Sequence, residues 1–173
     1  MPAPEIFALT APEAFAAAHD ALALARRAAP AHMSPLLAAA LRPLCAAFHA
    51  DFGMLLALDG ETVVACAFYQ NGEVWEDGAD VAALLLTQGI AGYAVARGGP
   101  ILLRDISADP RWGPPSLTAA LPARGAALAL VDGEMARLVL VLVAPEAAPF
   151  SMAAVAELEQ VIRQTPGATG GME

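Results

Sequence analysis

The sequence predicts an α+β fold in which helices pack on an antiparallel sheet, and three observations carry that expectation. Apolar residues recur at helical spacing near both ends of the chain, around Leu36–Phe48 and Met152–Ile162. Between them the pattern shifts to short apolar runs joined at Asp59-Gly60 and Asp132-Gly133, which are hairpin signals because Asp-Gly tolerates the positive φ angles of tight turns. Strands joined by tight turns are antiparallel neighbours, whereas parallel pairs require long crossovers. At 173 residues the chain is sized for one domain with a substantial core.

Thr10-Ala11-Pro12-Glu13 reads as a capping box that opens a helix running to about Ala29, with Phe15, Ala18, Leu22, Leu24 and Ala25 forming a thin stripe. Pro30 ends it. Ser34-Pro35 places a cap before an N1 proline, and a second helix follows with Leu37, Leu41, Leu44, Cys45 and Phe48 at helical spacing and a kink expected at Pro43. Met54 to Leu58 and Thr62 to Tyr69 form the first hairpin, and Asn71-Gly72 turns the chain into Glu73 to Trp75. Residues 79 to 97 are helical with an interruption at Gly89, and Pro100 starts a strand, Ile101 to Leu103. Arg104 to Pro122 holds four prolines and no periodicity, a length of loop that is usually functional. Gly125 to Val131 and Met135 to Val143 make the last hairpin, and Ser151 caps a closing helix striped by Met152, Val155, Leu158, Val161 and Ile162.

Composition narrows the chemistry. All nine basic side chains are arginine, so Schiff-base, pyridoxal-phosphate and Walker-type reactions lack their lysine. A net charge of −9 argues against nucleic acid, whose affinity comes mostly from phosphate neutralisation. The longest charge-free run, between Asp80 and Arg97, is broken by Thr87, Gln88, Gly89 and Gly92 and falls short of a bilayer span, so no membrane association is expected. With no basic segment leading an apolar one at the N-terminus, the expected location is cytoplasmic. Cys45 and Cys66 sit in apolar surroundings that suit reduced, buried thiols. Cys45 and His49 at i, i+4 share a helical face but have no evident companions, so no metal is expected. No G-x-S-x-G elbow is present.

Residues 89 to 112, GIAGYAVARGGPILLRDISADPRW, resemble the signature of the GAF domain family, in which G-[IL]-x-G-x-[AV]-x-x-x-G-x-P-[IL] leads into a strand and then R/P-D-[IV]-x-x-D-P-[RYF]. The resemblance spans about residues 35 to 164. It implies a GAF-like, profilin-like three-layer sandwich: a central antiparallel sheet, the terminal helices on one face, and a small-molecule pocket roofed by crossover helices and loop on the other. The domain organisation it suggests is an N-terminal helical extension over 1–33, a GAF domain over 34–164 and a flexible tail over 165–173. Most of the family binds small molecules and relays the event through helices.

Within the 89–112 stretch, Gly92 is expected to let its helix approach the sheet closely and Gly98-Gly99 to cap it. A phosphate cradle is disfavoured because no lysine follows. Tyr69, Trp75, Tyr93 and Trp112 are expected around one concavity as a stacking pocket with polar rims. Arg104 is a candidate clamp for an anionic ligand, or a partner of Asp105 or Asp109, and Asp105 and Asp109 are either loop caps or an acid/base pair. The ligand-binding set is thus Tyr69, Trp75, Tyr93, Arg104, Asp105 and Trp112, with no catalytic residue and no cofactor beyond an unidentified small molecule.

Free methionine-(R)-sulfoxide reductase is a stand-alone relative of similar length, but where its cysteine follows the segment resembling Gly89-Ile90 this chain has Ala91, and no cysteine occurs from Ala67 onward. Bilin attachment through a cysteine of that region is equally unsupported, and Asn71 is the lone asparagine where cyclic-nucleotide binders are asparagine-rich. The reading is a non-enzymatic small-molecule sensor and signalling module. It is expected to form a homodimer through its terminal helices, segments 12–29 and 151–164, and to act on a signalling protein partner. The alternatives are a ligand-free dimerisation scaffold and a thiol-dependent reductase using Cys66.

Overall fold

The computed structural model describes residues 11–113, 121–133 and 137–163. Helices α1 (Ala11–Arg27) and α2 (Pro30–Ala47) lead into β1 (Phe52–Asp59), β2 (Thr62–Gln70) and β3 (Glu73–Trp75). Helices α3 (Ala79–Gln88) and α4 (Ile90–Arg97) then precede β4 (Ile101–Leu103), a 3-10 turn at Ile106–Ala108, β5 (Ala126–Val131), β6 (Leu138–Ala144) and the closing helix α5 (Met152–Ile162). The strands form one antiparallel sheet in the order β3-β2-β1-β6-β5-β4. The central pair β1 and β6 comes from distant parts of the chain, so two hairpins meet at the middle of the sheet.

Side-chain alternation divides the core into two layers. Leu55 and Ala57 of β1, Ala65 and Ala67 of β2, and Leu138, Leu140 and Leu142 of β6 face α1, α2 and α5. Phe52, Met54 and Leu56, Cys66 and Phe68, and Val139, Val141 and Val143 face α3, α4 and the loop after β4. Both faces are apolar, which is why β1, β5 and β6 read as nearly continuous apolar runs instead of clean alternations. The predicted α+β class, the antiparallel sheet and the three layers are all present.

Local signals explain most element ends. Asn71 and Gly72, at φ 49° and 93°, make the tight turn between β2 and β3 as expected. Gly98 ends α4 in the left-handed region, its N–H donating to the Ala94 carbonyl at 2.8 Å. Ser151 caps α5, its Oγ accepting from the Ala154 N–H at 3.1 Å.

Several expectations are corrected. The second helix starts at Pro30, not at Ser34-Pro35: Pro30 takes the N1 position and Pro35 lies inside the helix with Pro43. The Ser34 hydroxyl instead accepts from the Cys66 N–H at 3.3 Å. In the first hairpin Asp59 pairs with Thr62, so the turn is Gly60-Glu61. The last strand runs from Leu138, and Met135, its expected start, lies outside the described residues. Helix α2 stops at Ala47 and His49 has φ 54°, so Cys45 and His49 share no helical face. Gly92 closes against α3, not the sheet: a Cβ there would lie 2.2 Å from the Leu86 carbonyl oxygen. Thr10 of the expected capping box and the tail from 165 lie outside the described residues.

Candidate functional site

Alternation along the strands also decides which predicted site residues meet. Phe68 and Trp75 are paired across β2 and β3, and both point to the crossover layer, where their rings stack with centroids 5.6 Å apart. Trp112 joins that layer from the loop, 3% exposed, with its ring edge-on to Phe52 at 6.5 Å. Tyr69, one residue from Phe68, points the other way and packs with the terminal helices. Burial raises its phenol pKa, with the neighbouring Cys45 adding to the effect and Arg42 and a Gly72 backbone contact opposing it. The expected single aromatic concavity is therefore split by the sheet: Trp75 and Trp112 lie on one side and Tyr69 on the other.

The break between α3 and α4 fixes the loop. The two helices are bent by 56° at Gly89, whose missing side chain admits the Trp112 carbonyl: a Cβ on Gly89 would meet that oxygen at 2.7 Å. The same carbonyl accepts from the Ile90 N–H at 3.4 Å. Outside this junction a shallow concavity of about 280 Å³ is edged by Leu86, Gly89, Gly92 and Tyr93. Tyr93 is half-exposed there, near Arg111, whose guanidinium pKa is raised chiefly by its hydrogen bonds to Asp109, with Tyr93 adding to the effect. Behind it Trp112 is buried, and its indole Nε1 has no hydrogen-bond partner among the described residues.

The two loop aspartates act locally and apart. Asp105 accepts from the Ser107 N–H at 3.0 Å and from its hydroxyl, capping the 3-10 turn. Asp109 accepts from the Arg111 backbone N–H at 3.0 Å and takes a two-pronged contact from its guanidinium at 3.0 and 2.8 Å. Of the two readings, loop capping is the one present: Asp105 and Asp109 form two separate caps and not an acid/base pair.

The guanidinium contacts, more than the backbone N–H, hold the Asp109 carboxyl below its ordinary pKa. A carboxylate whose pKa is lower folded than unfolded stabilises the fold above the unfolded value, and the contribution disappears as pH falls through the folded value. Asp109→Asn is accordingly expected to lose at most about 1 kcal/mol at pH 7, since the pair is partly solvated. Urea titrations at pH 7 and pH 3 should show that gap closing in acid; an unchanged gap would contradict it.

Arg104 continues the alternation of β4 beyond Leu103. Ile101 and Leu103 enter the crossover core, whereas Pro100, Leu102 and Arg104 border a groove of about 600 Å³ on the opposite face. Leu102 and Leu128 floor it, and Val155 and Ala156 of α5 wall it, with Phe150 at the turn before α5. The groove exists because α2 packs on β2 and β1 while α5 packs chiefly on α1 and reaches the sheet at β5, leaving the edge strand uncovered on that face. Sequence inspection missed it; the usable signal was the i, i+2 spacing of Pro100, Leu102 and Arg104.

The thiols are placed for packing. Cys45 lies in α2 with its sulfur toward Gly53 of β1, and Cys66 faces the crossover from β2, so the sheet separates them and both are free. Burial pushes the pKa of each thiol upward; for Cys66 the acidic neighbours Asp77 and Glu76 add to this, and a Gly78 backbone contact opposes it.

An antiparallel sheet between a layer of terminal helices and a helix-break-helix crossover carrying a loop defines a three-layer α+β domain. The chain matches the GAF domain over residues 31–165 and belongs to that family. It is similar in fold to the Aquifex aeolicus nlh2 GAF domain, solved in an inactive state, at 13% identity and TM-score 0.53 over 86% of this chain and 88% of that one. It is also similar to free methionine-R-sulfoxide reductase from Neisseria meningitidis, solved with its substrate, at 16% identity and TM-score 0.56 over 88% and 85%. At these identities the likeness concerns the fold alone. No curated protein matches the chain by sequence. Among the described residues, no single helix is long and apolar enough to cross a membrane.

Proposed function

We propose that this protein is a non-catalytic GAF-type sensor, cytoplasmic and homodimeric, that takes a small molecule at the crossover helices and relays its presence through the terminal helices. The observation that carries this reading is the Nε1 of buried Trp112, which has no partner among the described residues. A donor stranded in an apolar layer costs about 1–3 kcal/mol. A ligand acceptor reaching it past the Gly89 junction would recover that energy, with Tyr93 at the outer rim and Trp75 in the same layer. The Trp112 carbonyl ties the loop to the start of α4, so displacing the indole would move loop and helix together.

A thermal-shift screen against a metabolite collection, read alongside tryptophan fluorescence, tests the reading. A true ligand should raise the melting temperature of the protein, and Trp112→Phe, which keeps an apolar ring but removes the donor, should abolish that shift. A ligand bound equally by the variant would remove Trp112 from the site, and a screen without a stabilising compound would sink the sensor reading.

Exposed apolar residues favour a second reading, a ligand-free dimerisation scaffold. Met152 is 91% exposed and Leu24 55% exposed, on α5 and α1. Sedimentation as a monomer would remove it. A reductase reading has little support, since Ala91 occupies the place of the relative's cysteine and both thiols are buried on opposite faces.

A further inference from the structure

We propose that the groove between β4 and α5 binds a small monocarboxylate with an apolar body, its carboxylate held by Arg104. This is a second site, on the sheet face away from the crossover. The groove's volume of about 600 Å³ lies within the range of small-molecule sites, roughly 300–1,000 Å³. Its floor and wall are apolar, with Leu102 and Leu128 below and Val155 beside them. The cation stands at its edge on the same alternation as Leu102, so a ligand lying along β4 meets hydrocarbon first and positive charge second.

Charge complementarity selects the head group. Arg104 is exposed and, among the described residues, has neither an ion pair nor a hydrogen bond. The carboxylates nearest it in sequence are committed elsewhere, Asp105 to Ser107 and Asp109 to Arg111. Glu159, the acidic residue of the groove wall, lies 3.9 Å from Arg163. In a chain of net charge −9, an arginine left without an anion is a fork still available to a planar carboxylate. Occupancy would brace α5 against the edge strand, so ligand at this face would act directly on a terminal helix.

Calorimetric titration of the full chain with octanoate, 1-octanol and acetate tests the assignment. Octanoate should bind at least about tenfold more tightly than either, because the alcohol lacks the charge and acetate lacks the body. Arg104→Gln should weaken octanoate by about tenfold while leaving the ligand-free melting temperature unchanged. Ala156→Trp, which fills the groove from an exposed helix position, should abolish binding. Trp112→Phe should leave octanoate binding unaffected, which separates this site from the crossover site. Equal binding of octanol, unchanged affinity in Arg104→Gln, or an Ala156→Trp protein that loses self-association instead of octanoate binding would overturn the proposal. The last result would assign the groove to a second copy of the chain.

Discussion

Gly92→Ala is expected to destabilise the domain by about 1–3 kcal/mol, the usual cost of forcing extra volume into a packed site. In a protein of this size that lowers the melting temperature by roughly 2–4 °C per kcal/mol. The sign is the informative part. An alanine replacing a glycine inside a helix ordinarily stabilises by up to about 1 kcal/mol, through helix propensity. Here the added methyl would sit 2.2 Å from the backbone oxygen of Leu86, and 4.0 Å from that of Leu85. A side chain can rotate away from such contact, but the carbonyl is fixed within α3. Relief requires α3 and α4 to separate, which also loosens the Gly89 seat of the Trp112 carbonyl. Gly99→Ala is the control, because nothing lies within 4 Å of its would-be Cβ. Differential scanning calorimetry should rank Gly99→Ala near wild type and Gly92→Ala well below it; equal melting temperatures for the two would refute the close approach.

That contact also marks how far the sequence could be read. The glycine spacing in 89–112 pointed to a close approach and to the GAF family, yet spacing cannot name the neighbour, and the neighbour is α3. Strands were legible because Asn71-Gly72 and the other turn residues impose backbone angles that few sequences tolerate. Helix α2 was misplaced because two proline signals compete: Pro30 both ends one helix and begins the next, and Ser34-Pro35 imitates a cap inside the second. The site was less legible for a geometric reason. Phe68 and Tyr69 are adjacent aromatics, and a period of two sends them to opposite layers once the register is set. The same rule takes Arg104 away from Trp112. Because both sheet faces are apolar, hydrophobicity gives no hint of which alternate set meets the crossover, and the β1–β6 pairing that settles it joins residues far apart in sequence.

Asp132 is the residue whose loss is expected to cost most, and its role was hidden behind its turn signal. It is 7% exposed and accepts from the Arg137 and Leu138 N–H groups at 2.9 and 3.1 Å, closing the β5–β6 connection. Its second oxygen lies 3.7 Å from Arg26 of α1. Burial lowers the Arg26 pKa, and Asp132 opposes that effect. Arg26 also donates to the Ile162 carbonyl at the end of α5. One carboxylate therefore links the central sheet to both terminal helices. Asp132→Ala would strand two backbone donors and a largely buried cation together. Removing one partner of a buried pair costs about 3–5 kcal/mol, and the residual exposure of Arg26 places this case near about 3. Asp132→Asn keeps an acceptor for the turn but also leaves Arg26 without its anion, so its loss should fall short of the alanine variant's by about 1 kcal/mol, roughly that of a single hydrogen bond. Urea denaturation of both variants separates the two contributions. Nearly equal losses would mean that the pairing with Arg26 carries the whole effect and the turn hydrogen bonds none of it, which would overturn the shared role of this side chain.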